Sequence, residues 1–211
     1  MTPKRTPAQA WNEMLRGNER FVAGTPRHPR QDVERRQEVA LAQAPHAALF
    51  GCSDSRLAAE IIFDKGIGDL FVVRNAGQII SDSVVGSLEY AVGVLEVPLI
   101  LVLGHDSCGA VLAAIAAEGE DAPTLPPHIA QLISKITPAV RRVVTTSGAD
   151  DPARVDALEV GREHLRDTIA ELLESSELIS EAVAAGTLAV VGANYRLLEG
   201  RAVPDVIVGS V

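Results

Sequence analysis

The sequence is short of cysteine, of aromatic side chains and of clustered positive charge, and each shortage excludes something. Cys52 and Cys108 are the only cysteines in 211 residues. Without an export signal, a structural disulfide is the less favoured use for them. Aromatic residues make up 3% of the chain while hydrophobic residues make up 47%, so the core must be packed from Val, Leu, Ile and Ala. The net charge of -9 and the scatter of Lys and Arg argue against a nucleic-acid partner, which would require clustered basic residues. No apolar run approaches the roughly 18 residues of a membrane span, and the start MTPKRTPAQ lacks an apolar signal segment. No membrane association and a cytoplasmic location are therefore expected.

The length suits one domain over 1–211, with a helical arm at 1–44 and an α/β core at 45–211. Thr6, Pro7 and Gln9 form an N-cap, a first-turn proline and a capping-box partner, and Gly24 is a natural stop. Trp11, Met14, Leu15, Asn18 and Val22 recur at helical spacing between them. With nothing upstream to cover, this apolar face is expected to lie on another subunit. A second helix is expected over 32–44, ended by Pro45.

Residues 47–51, 70–73 and 99–103 are short apolar runs without polar alternation, the pattern of strands buried on both faces of a parallel sheet. A fourth run follows at 188–193, and 206–208 could pair with it as an antiparallel edge. Helices are expected at 57–63 and around Val84, Leu88, Ala91 and Leu95. Two more fall between the third and fourth strands, the first interrupted by Pro138. The fold class is α/β: a mainly parallel four-stranded sheet with an antiparallel edge strand, an N-terminal helical arm and a helical insertion before the last parallel strand.

Both cysteines follow buried-strand runs, at the sheet edge where ligands of open α/β folds bind. His105 and Cys108 are three apart, a spacing that lets both face one point at a helix start. Two thiolates and an imidazole suit zinc, and three protein ligands leave a position for water. The competing reading makes both cysteines small buried core residues. Asp54 and Arg56 add a carboxylate and a guanidinium able to keep it ionised. His28, His46, His128 and His164 lack a neighbouring cysteine and are read as surface or loop residues.

GCSDSR at 51–56, VVRNAG at 72–77, SLEYAV at 87–92 and GHDSCG at 104–109 closely resemble the β-carbonic anhydrase family. The resemblance implies reversible hydration of carbon dioxide to bicarbonate and a proton by zinc-bound hydroxide, with one Zn2+ per subunit. By motif, Cys52, His105 and Cys108 would hold the zinc, and Asp54 with Arg56 would form the catalytic dyad. Asp54 could also become a fourth ligand in an inactive state. Gln43, Phe71 and Tyr90 match substrate-pocket positions of the plant-like subgroup, where the pocket lies at a dimer interface. A homodimer or dimer-of-dimers tetramer is implied.

Another subgroup has an inhibitory bicarbonate site built from Trp, Arg and Tyr. Here Arg74 and Tyr195 match but Leu49 stands in the Trp position, so that site is not expected. Gln78 replaces the family's frequent Asn. Two rivals use the same residues: a same-fold enzyme acting on carbon disulfide or carbonyl sulfide, and a non-enzymatic zinc or redox sensor. Gln43 and Tyr90 favour carbon dioxide over the first, and the Asp54–Arg56 pair argues against the second.

Overall fold

The computed structural model describes residues 5–211, so the first four residues of the polar start lie outside it. The chain runs α1 (Pro7–Val22), α2 (Val33–Glu38), β1 (Ala47–Cys52), α3 (Ala59–Ile62), β2 (Leu70–Asn75), α4 (Asp82–Gly93) and β3 (Leu99–His105). It continues with α5 (Gly109–Ala117), α6 (Pro127–Ser134), α7 (Thr137–Ser147), a 3-10 turn at Pro152–Arg154, α8 (Ala157–Ser175), α9 (Glu177–Ala184), β4 (Ala189–Arg196) and β5 (Arg201–Val208).

The sheet has five strands, not four, in the order β2-β1-β3-β4-β5. β2, β1, β3 and β4 run parallel, and β5 is the antiparallel edge. β5 is longer than the apolar run at 206–208 suggested, because its half-exposed outer face admits polar residues that hide a strand from a hydrophobicity reading.

Every residue of β1 and β3 is buried, and alternate side chains enter two cores on opposite sides of the sheet. Leu49, Leu101, Leu103 and Val191 pack with Met14, Ile62, Val111 and Ile136. Phe50, Ile100, Val102 and Val190 pack with Val84, Leu88, Leu165 and Ile169. The result is an α/β/α sandwich. β2 differs: its residues are half-buried or exposed, as befits an edge strand.

The capping box at the start of α1 forms as expected, with Gln9 N–H donating to Thr6 Oγ1 and Thr6 N–H donating to Gln9 Oε1. The face of α1 does not await another subunit, however. Met14 is fully buried and Trp11 nearly so against this chain's own core. Asn18 donates to the carbonyls of Ile62 and Gly200 and accepts from Ala202 N–H, tying α1 to α3 and β5. Gly17 permits this close approach, since a Cβ there would stand 1.9 Å from the Phe63 carbonyl oxygen. Sequence alone could not see this seat because its walls arrive 40 to 190 residues later.

α2 ends at Glu38 and does not reach Ala44. None of its residues is buried and Leu41 is fully exposed, so no packing supports a longer helix. Pro138 does not interrupt a helix but sits in the first turn of α7, where its missing N–H costs nothing. α9 went unread because its eight residues are too few for a clear period.

Candidate metal centre

β1 and β3 are neighbours, with Gly51 level with Leu103, so Cys52 and His105, the last residues of their strands, emerge side by side. Strand order reverses at this point, since β2 lies outside β1 and β4 outside β3. That crevice is where open α/β sheets bind ligands. Cys108 arrives by a tight turn rather than one helix face: it is the N-cap of α5, and Ser107 takes a left-handed φ of +50°. Asp106 anchors the turn to β4, its N–H donating to Tyr195 O and its Oδ1 accepting from Leu197 N–H. One donor atom each from Cys52, His105 and Cys108 then lies within 4.8 Å of the others, and all three residues are buried.

A metal ion fits this cluster. His105 Nδ1 lies 2.8 Å from the Asp106 carbonyl oxygen, which can only accept, so the proton resides on Nδ1. Nε2 is then a bare lone pair, and it is buried without a hydrogen-bond partner. An orphaned buried acceptor is costly, and a cation is the partner that two adjacent thiols and this lone pair share. The thiols divide one charge between them. Hydrogen bonding from the Cys108 thiol, helped by the Gly77 N–H, outweighs burial and brings the Cys52 thiol well below its ordinary range. The Cys108 thiol is pushed up by Cys52 and by burial. A bound cation would draw both to thiolate.

Asp54 is turned to Arg56. Its Oδ1 accepts from Arg56 Nε at 2.9 Å and from Arg56 N–H at 2.9 Å, and its Oδ2 accepts from Nη2 at 2.6 Å. The guanidinium, more than burial opposes it, holds this carboxyl far below the usual carboxylate range. Arg56 Nη2 also reaches the Ser107 carbonyl at 3.3 Å, linking the Cys52 loop to the Cys108 loop.

Arg74 donates to two backbone carbonyls, Cys52 O at 2.9 Å and Asp54 O at 2.6 Å. It holds the loop between Cys52 and Asp54. Leu49 and Tyr195 are buried, so the three positions of the bicarbonate site noted above serve packing and loop support.

His28 and His128 are exposed as expected, but His164 is buried on α8 and bonds Gly77 O at 2.7 Å. His46 is largely buried too, at the start of β1 between Glu13 and Asp69, and burial lowers its pKa to about 4. Neither carried a sequence signal, since their partners lie far along the chain.

The pocket residues are not gathered at the cysteines. Phe71 and Tyr90 rings contact each other at a centroid distance of 6.1 Å. Phe71 pairs with Ala48 while Cys52 pairs with Asn75, so it sits four residues, about 13 Å, back along the strand. Tyr90 is 45% exposed. Gln43 is exposed in the segment between α2 and β1. A cleft of about 900 Å³ lies at the opposite sheet edge beside His46 and Leu188 and contains none of the metal-cluster residues. Among the described residues, no helix is long and apolar enough to cross a membrane.

Residues 47–202 match the family model described as carbonic anhydrase. The chain is 49% identical over 210 residues to carbonic anhydrase 2 of Mycobacterium tuberculosis, covering 99% of this chain and 98% of that protein. It is 48% identical over 202 residues to the carbonic anhydrase of Mycolicibacterium smegmatis, covering 94% and 93%. Among solved structures, a tetrameric β-carbonic anhydrase of Sordaria macrospora superposes with a TM-score of 0.70 at 25% identity, over 80% of this chain and 84% of that one.

Proposed function

Given that the chain belongs to the β-carbonic anhydrase family, we propose that it hydrates carbon dioxide reversibly at a zinc ion held by Cys52, His105 and Cys108, with Asp54 and Arg56 as the assisting dyad. The observation that carries this reading is the orphaned His105 Nε2 beside two buried thiols. Zinc held there supplies the charge that makes a water nucleophilic near neutral pH.

The chain's own residues do the rest. Asp106 O fixes the His105 tautomer, and Arg74 and Gly77 hold Cys52 in place. A carboxylate offers about four acceptor sites. Arg56 uses three on Asp54, leaving one on Oδ2. That site accepts an O–H of the attacking water and aims its lone pair at carbon dioxide. Held far down in pKa, Asp54 stays an acceptor throughout the neutral range and does not store the released proton.

Gln43, Phe71 and Tyr90 serve the substrate pocket of a second copy, which explains why they are exposed or half-buried on one chain and distant from its cysteines. The assembly is thus a homodimer or a dimer of dimers, in keeping with the tetrameric relative of Sordaria macrospora. The test is elemental analysis joined to stopped-flow hydration of carbon dioxide near pH 7 and near pH 8.5. The reading expects one zinc per chain and turnover that disappears on chelation and returns with zinc. A zinc-loaded protein without turnover overturns the function, and a metal-free protein with turnover overturns the site.

A further inference from the structure

The backbone N–H of Gly77, 25 residues along the chain, donates to Cys52 Sγ at 3.4 Å. It sits in the bend after β2, at φ +78°, where a Cβ would meet Ala110 Cβ at 2.9 Å and Ile136 Cδ1 at 3.1 Å. The next residue, Gln78, is also left-handed at φ +41°, a conformation Asn tolerates better than Gln. Such a bend needs external support.

Across the bend, Asn75 donates from Nδ2 to Ile79 O at 2.8 Å and accepts from Ile79 N–H at 3.0 Å. From beneath, α8 supplies two struts. His164 Nε2 lies 2.7 Å from Gly77 O, and the single Thr168 hydroxyl proton is shared between His164 O at 2.8 Å and Gln78 O at 3.3 Å. His164 is 3% exposed. Gly77 O can only accept, so Nε2 carries the proton. Nδ1 is buried without a partner, so the imidazole makes this one hydrogen bond and no other.

We propose that His164 is a positioning residue for the metal centre: by donating to Gly77 O it holds the Gly77 N–H on Cys52 Sγ and thereby sets how tightly that thiolate binds the metal. The carbonyl and the N–H of Gly77 belong to different peptide units, so the effect passes through the placement of the residue rather than along one amide. Groups that orient metal ligands from behind commonly change metal affinity by about 10–100-fold. An N–H on sulfur also draws electron density from the thiolate, so its loss raises the energy of the sulfur lone pair.

The inference rests on the metal reading above, and the experiment separates the two. His164→Leu keeps bulk but cannot donate, whereas His164→Gln can. Zinc-loaded and cobalt-substituted proteins are compared with wild type by release of zinc to a chromophoric chelator, by the sulfur-to-cobalt charge-transfer band and by thermal melting. His164→Leu should release zinc on the order of tenfold faster and shift the band to lower energy, and His164→Gln should restore both. A simple packing role would lower melting in both variants and leave the band in place. That result, or equal behaviour of the two variants, overturns the proposal. If His164→Leu does not fold, Thr168→Val, which removes the second strut, decides: an unchanged band and release rate overturn it. Wild-type protein that binds neither zinc nor cobalt sinks the metal reading itself.

Discussion

Asp54→Asn changes one atom of the dyad and, on this geometry, disables two contacts. The wild-type carboxylate receives three donors from Arg56, two on Oδ1 and one on Oδ2, and keeps one acceptor site for a reacting water. In Asn, the retained oxygen still serves Arg56 N–H and Nε, but an NH2 replaces Oδ2 and faces Arg56 Nη2 donor to donor. The site for water is gone, and the 2.6 Å bond turns repulsive. Flipping the amide does not help, since two Arg56 donors then face the NH2. None of the three cluster residues is altered, so zinc should remain at one per chain. Loss of an oriented proton acceptor costs roughly 10²–10⁴-fold in rate. Stopped-flow hydration should therefore show kcat/KM lowered by about that factor with metal content unchanged. Undiminished turnover refutes the role of Asp54, and coincident loss of zinc refutes the separation of dyad from ligands.

Met14, fully buried on α1, should lose about 2–5 kcal/mol of stability as Met14→Ala in denaturant titration; a loss well under 1 kcal/mol would mean that the arm is not seated on its own chain. Asp69 is buried and accepts from both Nε and Nη2 of Arg30 and from Gly66 N–H at 2.8 Å. Burial pushes its carboxyl up, but these donors outweigh it and hold the group below its usual value. A lowered folded-state pKa gives stability that is complete above the unfolded value near 4 and lost as pH falls through the folded one. Asp69→Asn should thus cost about 2–3 kcal/mol near pH 7, with the gap to wild type constant down to about pH 5 and closing below pH 4. A gap that closes above pH 5 would contradict this.

The three cluster residues were legible in the sequence because each follows a run of residues buried on both faces, and such runs end at one edge of a parallel sheet. The Asp54–Arg56 pair was legible because it shares a loop with Cys52, and the capping box of α1 because its signals are local. Tertiary structure decided what depends on partners far along the chain. It seated α1 on its own core and shortened α2 for want of anything to pack on. It also made Arg74 a brace for the Cys52 loop. His164 shows the difference most clearly. Among Arg162, Glu163 and Arg166 it reads as one more polar position on a helix surface. It stands 87 positions after Gly77, yet the chain folds so that its imidazole is buried beneath the bend touching Cys52. Spacing along a chain reports which side chains share a strand end or a turn, while hydrogen bonds across such separations are fixed only when helices and sheet pack.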